Sequence, residues 1–306
     1  MNRENGEAAL AEFARTFAEG GCPDFSKANL GVWLRCADAL IDRGEMELGI
    51  FAVRQIHATW PESPWARNVL GMLDRMPPPD PDAPPFGDAF PSPVQLAPRA
   101  GAQTAMVVFC GADHGIGMPL AMLHRWLSQW PLSLIYLRDS RTLGYLGGIE
   151  ELGQDLVSTL SVLRSRIHKL GARRIICYGA SIGGYGALRY GLELGAETVI
   201  CMSAMVNMRP EFNVGLQYRD LAERLQASFP DAELDLRQIY LSAERPPKTW
   251  MIYGEQNQDD RIHADHMAGI AGAVRVQVRG YRSHNPAAHL IRVGHFQELL
   301  RQTMGS

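Results

Sequence analysis

Beyond residue 100 the chain repeats a pattern that few folds satisfy: a short, largely apolar run, then a stretch whose apolar residues recur at helical spacing. The runs are Thr104 to Phe109, Leu132 to Leu137, Arg174 to Tyr178, Thr198 to Met202, Trp250 to Tyr253 and Val274 to Val278. Between them, Met118 to Trp130 puts Leu120, Leu123 and Trp126 on one helical face. Ile149 to Leu170 does the same with Leu152, Leu156, Leu160, Leu163 and Ile167, and a further helix is expected from Ile182 to about Leu194. A strand that is apolar along its length has no side to show to water. It therefore belongs in a mainly parallel sheet with helices on both faces. The pattern predicts an α/β fold.

Upstream, nine prolines fall between Pro77 and Pro98. Proline lacks the amide hydrogen a helix needs. The stretch 77–100 therefore reads as an extended linker between a helical region, 1–76, and a main domain, 101–306. In the helical region Trp33, Ala37, Ala39, Leu40, Gly44, Gly49, Ile50 and Pro61 fall near the spacing of a tetratricopeptide unit. Its two helices are expected over about 30–42 and 45–59, and a third over 64–75. One such unit cannot bury its own apolar face. It is expected to pack on the main domain, on a second copy of the chain or on a protein partner.

Composition narrows the function. With 46% hydrophobic and 21% charged residues the chain can bury a core, and a net charge of −3 offers no basic surface for nucleic acid. Its longest apolar stretches, such as Ala105 to Cys110, are too short to span a bilayer. Met1 to Leu10 carries Glu4 and Glu7 and no apolar core of signal-peptide length. The five cysteines, Cys22, Cys36, Cys110, Cys177 and Cys201, show no C-x-x-C spacing. Buried, reduced thiols in a cytoplasmic protein are expected.

The chemistry concentrates at Ile175-Ile176-Cys177-Tyr178-Gly179-Ala180-Ser181-Ile182-Gly183-Gly184. Gly-x-Ser-x-Gly here joins an expected strand to an expected helix, where a sharp turn lifts the serine above the sheet. A serine hydroxyl becomes a nucleophile only when a base removes its proton, and an acid must orient that base. Candidates for both follow in order. Gly254-Glu255-Gln256-Asn257-Gln258-Asp259-Asp260 comes after one strand, and Gly280-Tyr281-Arg282-Ser283-His284 after the next.

In these motifs the chain resembles the α/β-hydrolase superfamily over about Thr104 to Gln302. The resemblance implies an α/β-hydrolase fold with Ser181 as nucleophile and His284 as base. Many members carry Gly-x-x-Asp after the acid's strand, where this chain has Asn257. Asp260-Arg261-Ile262-His263-Ala264 resembles an Asp-x-x-His-Ala pattern of some bacterial hydrolase-like proteins linked to glycan acylation and accessory secretion. Asp260 is the expected acid, with Asp259 and Glu255 as alternatives. The oxyanion donors are expected to be the amide of Ile182 and that of Ala112 or Gly111, with Asp113 and His114 rimming the substrate pocket. An insertion over 205–248 is expected to form a lid. Its Met205, Met208, Arg209, Phe212, Leu216 and Tyr218 suggest an amphiphilic substrate.

The implied activity is cleavage of a small-molecule or glycan-linked ester through an acyl-enzyme, without cofactor or metal. Transfer of the acyl group to a sugar or other hydroxyl is the alternative. A catalytically silent assembly module is a further one. A dinucleotide site at Gly179, Ser181 and Gly184 would need an acid at the end of the next strand, which ends Ile200-Cys201-Met202-Ser203. His263 and His266 have the spacing of metal ligands but no third cluster.

Overall fold

The computed structural model describes residues 11, 15–16, 29–86, 92–112, 115–216 and 218–304. The start of the chain, Cys22, Asp113 and His114 lie outside the described residues. Two compact units emerge: Met1–Asp80 with Gly117–Gln129 and Ala287–Ser306, and Pro81–Ile116 with Trp130–Pro286.

The first unit is helical. Helices α1 (Leu30–Asp42), α2 (Met46–Thr59) and α3 (Pro64–Leu73) come from the N-terminal region. Asn29 caps α1 by accepting from the Val32 amide, and Ser63 caps α3 ahead of a proline at its first position. The apolar face of this group is covered within its own unit by helices from later in the chain, α4 (Leu120–Leu127) and α10 (Ala287–Val293), with α11 (Phe296–Met304) packed on α10. Buried Asp42 marks the junction, its carboxylate accepting from the Ala121 amide at 2.7 Å in the first turn of α4. The unsatisfied amides of a helix start make that carboxylate at home there.

The second unit is a seven-stranded sheet in the order β1-β3-β2-β4-β5-β6-β7. Its strands are β1 (Val94–Ala97), β2 (Thr104–Phe109), β3 (Leu132–Leu137), β4 (Arg174–Ala180), β5 (Thr198–Met202), β6 (Lys248–Gly254) and β7 (Ala273–Val278). All neighbours run parallel except β1 against β3. Strands β2, β3 and β5 are buried throughout, as unbroken apolar runs require. Helices α5 (Leu156–Lys169), α6 (Ile182–Leu194), α7 (Arg219–Ser228), α8 (Leu236–Leu241) and α9 (Gln258–His266) complete the unit.

Two elements depart from expectation. The proline-rich stretch is not a linker to its end, because Val94–Ala97 pairs with β3 as an edge strand of the sheet. Fully buried Arg138 fastens the approach to this edge, donating to the Ser92 carbonyl at 2.7 Å and to the Gln95 side chain at 3.2 Å. Flanking prolines suit an edge strand, which needs only one row of amides. The helix expected from Ile149 starts instead at Leu156. Asp155 and Ser158 form a capping box there, and Gly148 and Glu151 take left-handed conformations before it.

Candidate active site

The register aligns the carboxyl ends of the strands: Phe109 sits opposite Gly179, Gly179 opposite Cys201, Met202 opposite Ile252 and Gly254 opposite Val278. Loops leaving β2, β4, β5, β6 and β7 therefore open on one edge, where parallel sheets place their ligands. Ser181 follows β4 directly, with φ 56° and ψ −125°. A non-glycine residue held there is strained, as in the turn that presents a nucleophile. The turn is tight because its glycines let backbones touch. A Cβ on Gly179 would lie 2.3 Å from the Gly183 carbonyl oxygen, and one on Gly183 would lie 2.2 Å from that of Phe109.

Asp260 and His284 are joined. The Asp260 Oδ1 lies 2.7 Å from His284 Nδ1, with the carboxylate buried and the imidazole partly open. Among the described residues this is the only hydrogen bond of the Asp260 carboxylate, since its buried Oδ2 has no partner. Asn257 explains why the acid is displaced in sequence: it caps α9, its Oδ1 accepting from the Asp260 amide at 3.0 Å. Glu255 serves the backbone instead, accepting from the Gly280 amide at 2.9 Å. Asp259 is half-buried in the same first turn.

Beside the serine, a Cβ on Gly111 would lie 3.7 Å from Ser181 Cβ, so the loop after β2 borders the nucleophile. The Gly111 amide is spent inside that loop on the Gly115 carbonyl at 2.6 Å, which leaves Ala112 as the candidate donor there. Ile182 is the first residue of α6, where an amide has no partner within its helix. Tyr145 steadies the loop from below, its buried hydroxyl 2.7 Å from the Cys110 carbonyl and 3.0 Å from that of Leu137.

Several contributors were not singled out by sequence. Asn285, left-handed at φ 58°, donates its backbone amide to Ser203 Oγ at 2.9 Å and its side-chain amide to the Ile116 carbonyl. It thus ties the residue after His284 to the ends of two other loops. Asn285→Ala should cost about 1–2 kcal/mol, from the left-handed backbone and the lost bond, and on the order of tenfold in kcat. Denaturant titration and initial rates check this, and Asn285→Gly should recover stability better than rate. In sequence Tyr218 is only one of the insertion's mixed residues. Its hydroxyl stands 3.4 Å from both ring nitrogens of His284.

The insertion otherwise spends part of its apolar content on the core, while Val214 and Leu241 stay exposed. Met205 and Met208 are buried among core side chains, which removes them from the amphiphilic set. Arg209 pairs with Glu233 at 2.7 Å. Phe212 packs between His263 and His266, ring centroids 5.3 and 4.7 Å away. The two histidines point to different tasks. His266 Nε2 meets buried Asp235 at 2.8 Å, while His263 Nδ1 accepts from the Val206 amide at 3.2 Å.

Burial pushes the His263 imidazole down to about 4, against the opposing pull of Asp260. The folded state keeps it neutral while the unfolded chain protonates it near 6.5, so unfolding takes up a proton between these values. Its contribution is complete above the upper value and is lost as pH falls toward the lower, roughly 3 kcal/mol in all. Melting temperatures followed from neutral to acid pH should fall less steeply in His263→Gln, whose side chain can still accept from Val206.

No protein-family model matches the chain, and no curated protein matches it. Among solved structures, esterase B from Lactobacillus rhamnosis aligns over 83% of this chain and 94% of its own, at 14% identity and a TM-score of 0.53. The C6-C4 SN3 inhibited form of that esterase aligns over 81% and 94%, at 13% identity and a TM-score of 0.52. The chain has the α/β-hydrolase fold. In this fold the turn after β4, which here carries Gly179, Ser181 and Gly183, and the loops after β6 and β7, which carry Asp260 and His284, share one edge of the sheet.

Proposed function

We propose that the protein is a serine esterase working through an acyl-enzyme. Ser181 Oγ attacks the ester carbonyl carbon while His284 Nε2 takes its proton, and Asp260 holds the Nδ1–H and steadies the imidazolium. The amides of Ile182 and Ala112 receive the oxyanion. The alcohol leaves with the proton from His284. Water, deprotonated by the same imidazole, then releases the acid and restores the serine. The observation that carries this reading is the 2.7 Å bond between Asp260 and His284 at the sheet edge where Ser181 is held in a strained turn. It fixes the imidazole tautomer that leaves Nε2 free to accept.

The Tyr218 hydroxyl, 3.4 Å from both ring nitrogens of this imidazole, supports the reading of 205–248 as a lid that limits the acyl chain. Cys36, Cys110, Cys177 and Cys201 are buried and form no disulfide among the described residues, which supports a reducing compartment. The test is treatment of the native protein with a fluorophosphonate, read by intact mass. One adduct, absent in Ser181→Ala, is expected. A wild-type protein that stays unmodified while hydrolysing p-nitrophenyl butyrate would refute the serine mechanism.

A further inference from the structure

The helical unit holds a concentration of cations that the proposed reaction does not use. A cleft of about 660 Å³ is lined by His57 on α2, by Arg67, Gly71, Asp74 and Arg75 on and just after α3, and by Arg292 on α10. Three guanidinium groups and an imidazole thus share one carboxylate. Among the described residues neither Arg67 nor Arg75 forms an ion pair, and both are exposed.

Arg292, in contrast, is laid in place. Its Nε donates to Oδ1 of buried Asn68 at 3.0 Å, and its Nη2 lies 3.0 Å from His289 Nδ1. Its stem crosses α3 at Gly71, where a Cβ would come within 2.5 Å of Arg292 Cγ. Only a glycine lets the guanidinium reach the cleft by that route. The His57 Nδ1 is buried without a partner among the described residues. The field is positive: His289 is held below the usual imidazole range by burial and by the charges of Arg292, His295 and Arg67.

Guanidinium groups gathered at a concave surface repel one another unless an anion joins them, and their planar forks match phosphate oxygens two at a time. One carboxylate leaves two of the three charges unbalanced, whereas a phosphate dianion balances them. We propose that this cleft binds a ligand bearing a phosphate or diphosphate group, through Arg67, Arg75 and Arg292.

Calorimetric titration of the full-length protein with inorganic pyrophosphate tests it. A saturable one-site isotherm is expected, with Kd below about 1 mM. Arg67→Gln and Arg75→Gln should each weaken it about tenfold with an unchanged melting temperature, and acetate should give no saturable heat. No saturable binding, equal binding of acetate, or full affinity in the Arg67→Gln/Arg75→Gln double variant would overturn the proposal. Sedimentation with phosphatidylcholine vesicles containing phosphatidic acid separates the sources. Pelleting reversed by pyrophosphate assigns the phosphate to a lipid headgroup, and pyrophosphate binding without pelleting assigns it to a soluble ligand.

Discussion

Ser181→Ala is expected to lower kcat on p-nitrophenyl butyrate about 10⁶-fold. The fluorophosphonate adduct should vanish with it. Loss on this scale follows from the proposed mechanism, in which the hydroxyl, the imidazole and the carboxylate act as a unit, so removing the nucleophile costs about as much as removing all three. Residual activity would come from binding and the oxyanion amides alone. Strain separates this variant from its neighbour. The residue sits at φ 56°, where alanine is as strained as serine and glycine is at ease. Ser181→Gly should be equally inactive yet more stable than Ser181→Ala by roughly 1 kcal/mol. Denaturant titration of the two variants checks the second half. Equal stability would mean that the turn is not strained, and retained turnover in either would move the nucleophile elsewhere.

What sequence conveyed depended on whether the determining interactions are local. The strand runs from Thr104 and Leu132 onward appear in the structure because an unbroken apolar run carries its burial in its own composition. The placement of Ser181 in a strand-to-helix turn was legible for a similar reason: Gly179 and Gly183 mark contacts that a Cβ would block. Elements set by distant partners were not legible. Val94–Ala97 becomes a strand through β3 and the Arg138 guanidinium, both distant in sequence. Nothing local in sequence marks Asn285, and only Ser203 and Ile116 reveal it as an anchor for the histidine loop. Met205 and Met208 look like pocket residues by composition, but the core takes them. The helices 120–127 and 287–304 completing the N-terminal unit carry no local mark of that destination.

Asp260→Asn should lower kcat about 10⁴-fold with little change in KM, and the reason lies in the orphaned oxygen. Asp260 Oδ1 holds the His284 Nδ1–H, while Oδ2 is buried with no partner among the described residues. An asparagine must put its NH2 group in one of these two places. At the Oδ2 position it would be a buried donor without an acceptor, a cost of about 1–3 kcal/mol. Turned the other way, the NH2 donates to Nδ1, and the imidazole proton moves to Nε2. That is the tautomer that cannot accept from the serine. The buried surroundings thus select the inactive arrangement. Nitrogen chemical shifts of the His284 ring should report the proton on Nδ1 in the wild type and on Nε2 in the variant. Asp259→Asn should stay within about twofold of wild type, since a group outside the hydrogen-bonded unit adds little to the transition state. A fully active Asp260→Asn beside an inactive Asp259→Asn would transfer the acid's role to the neighbouring carboxylate.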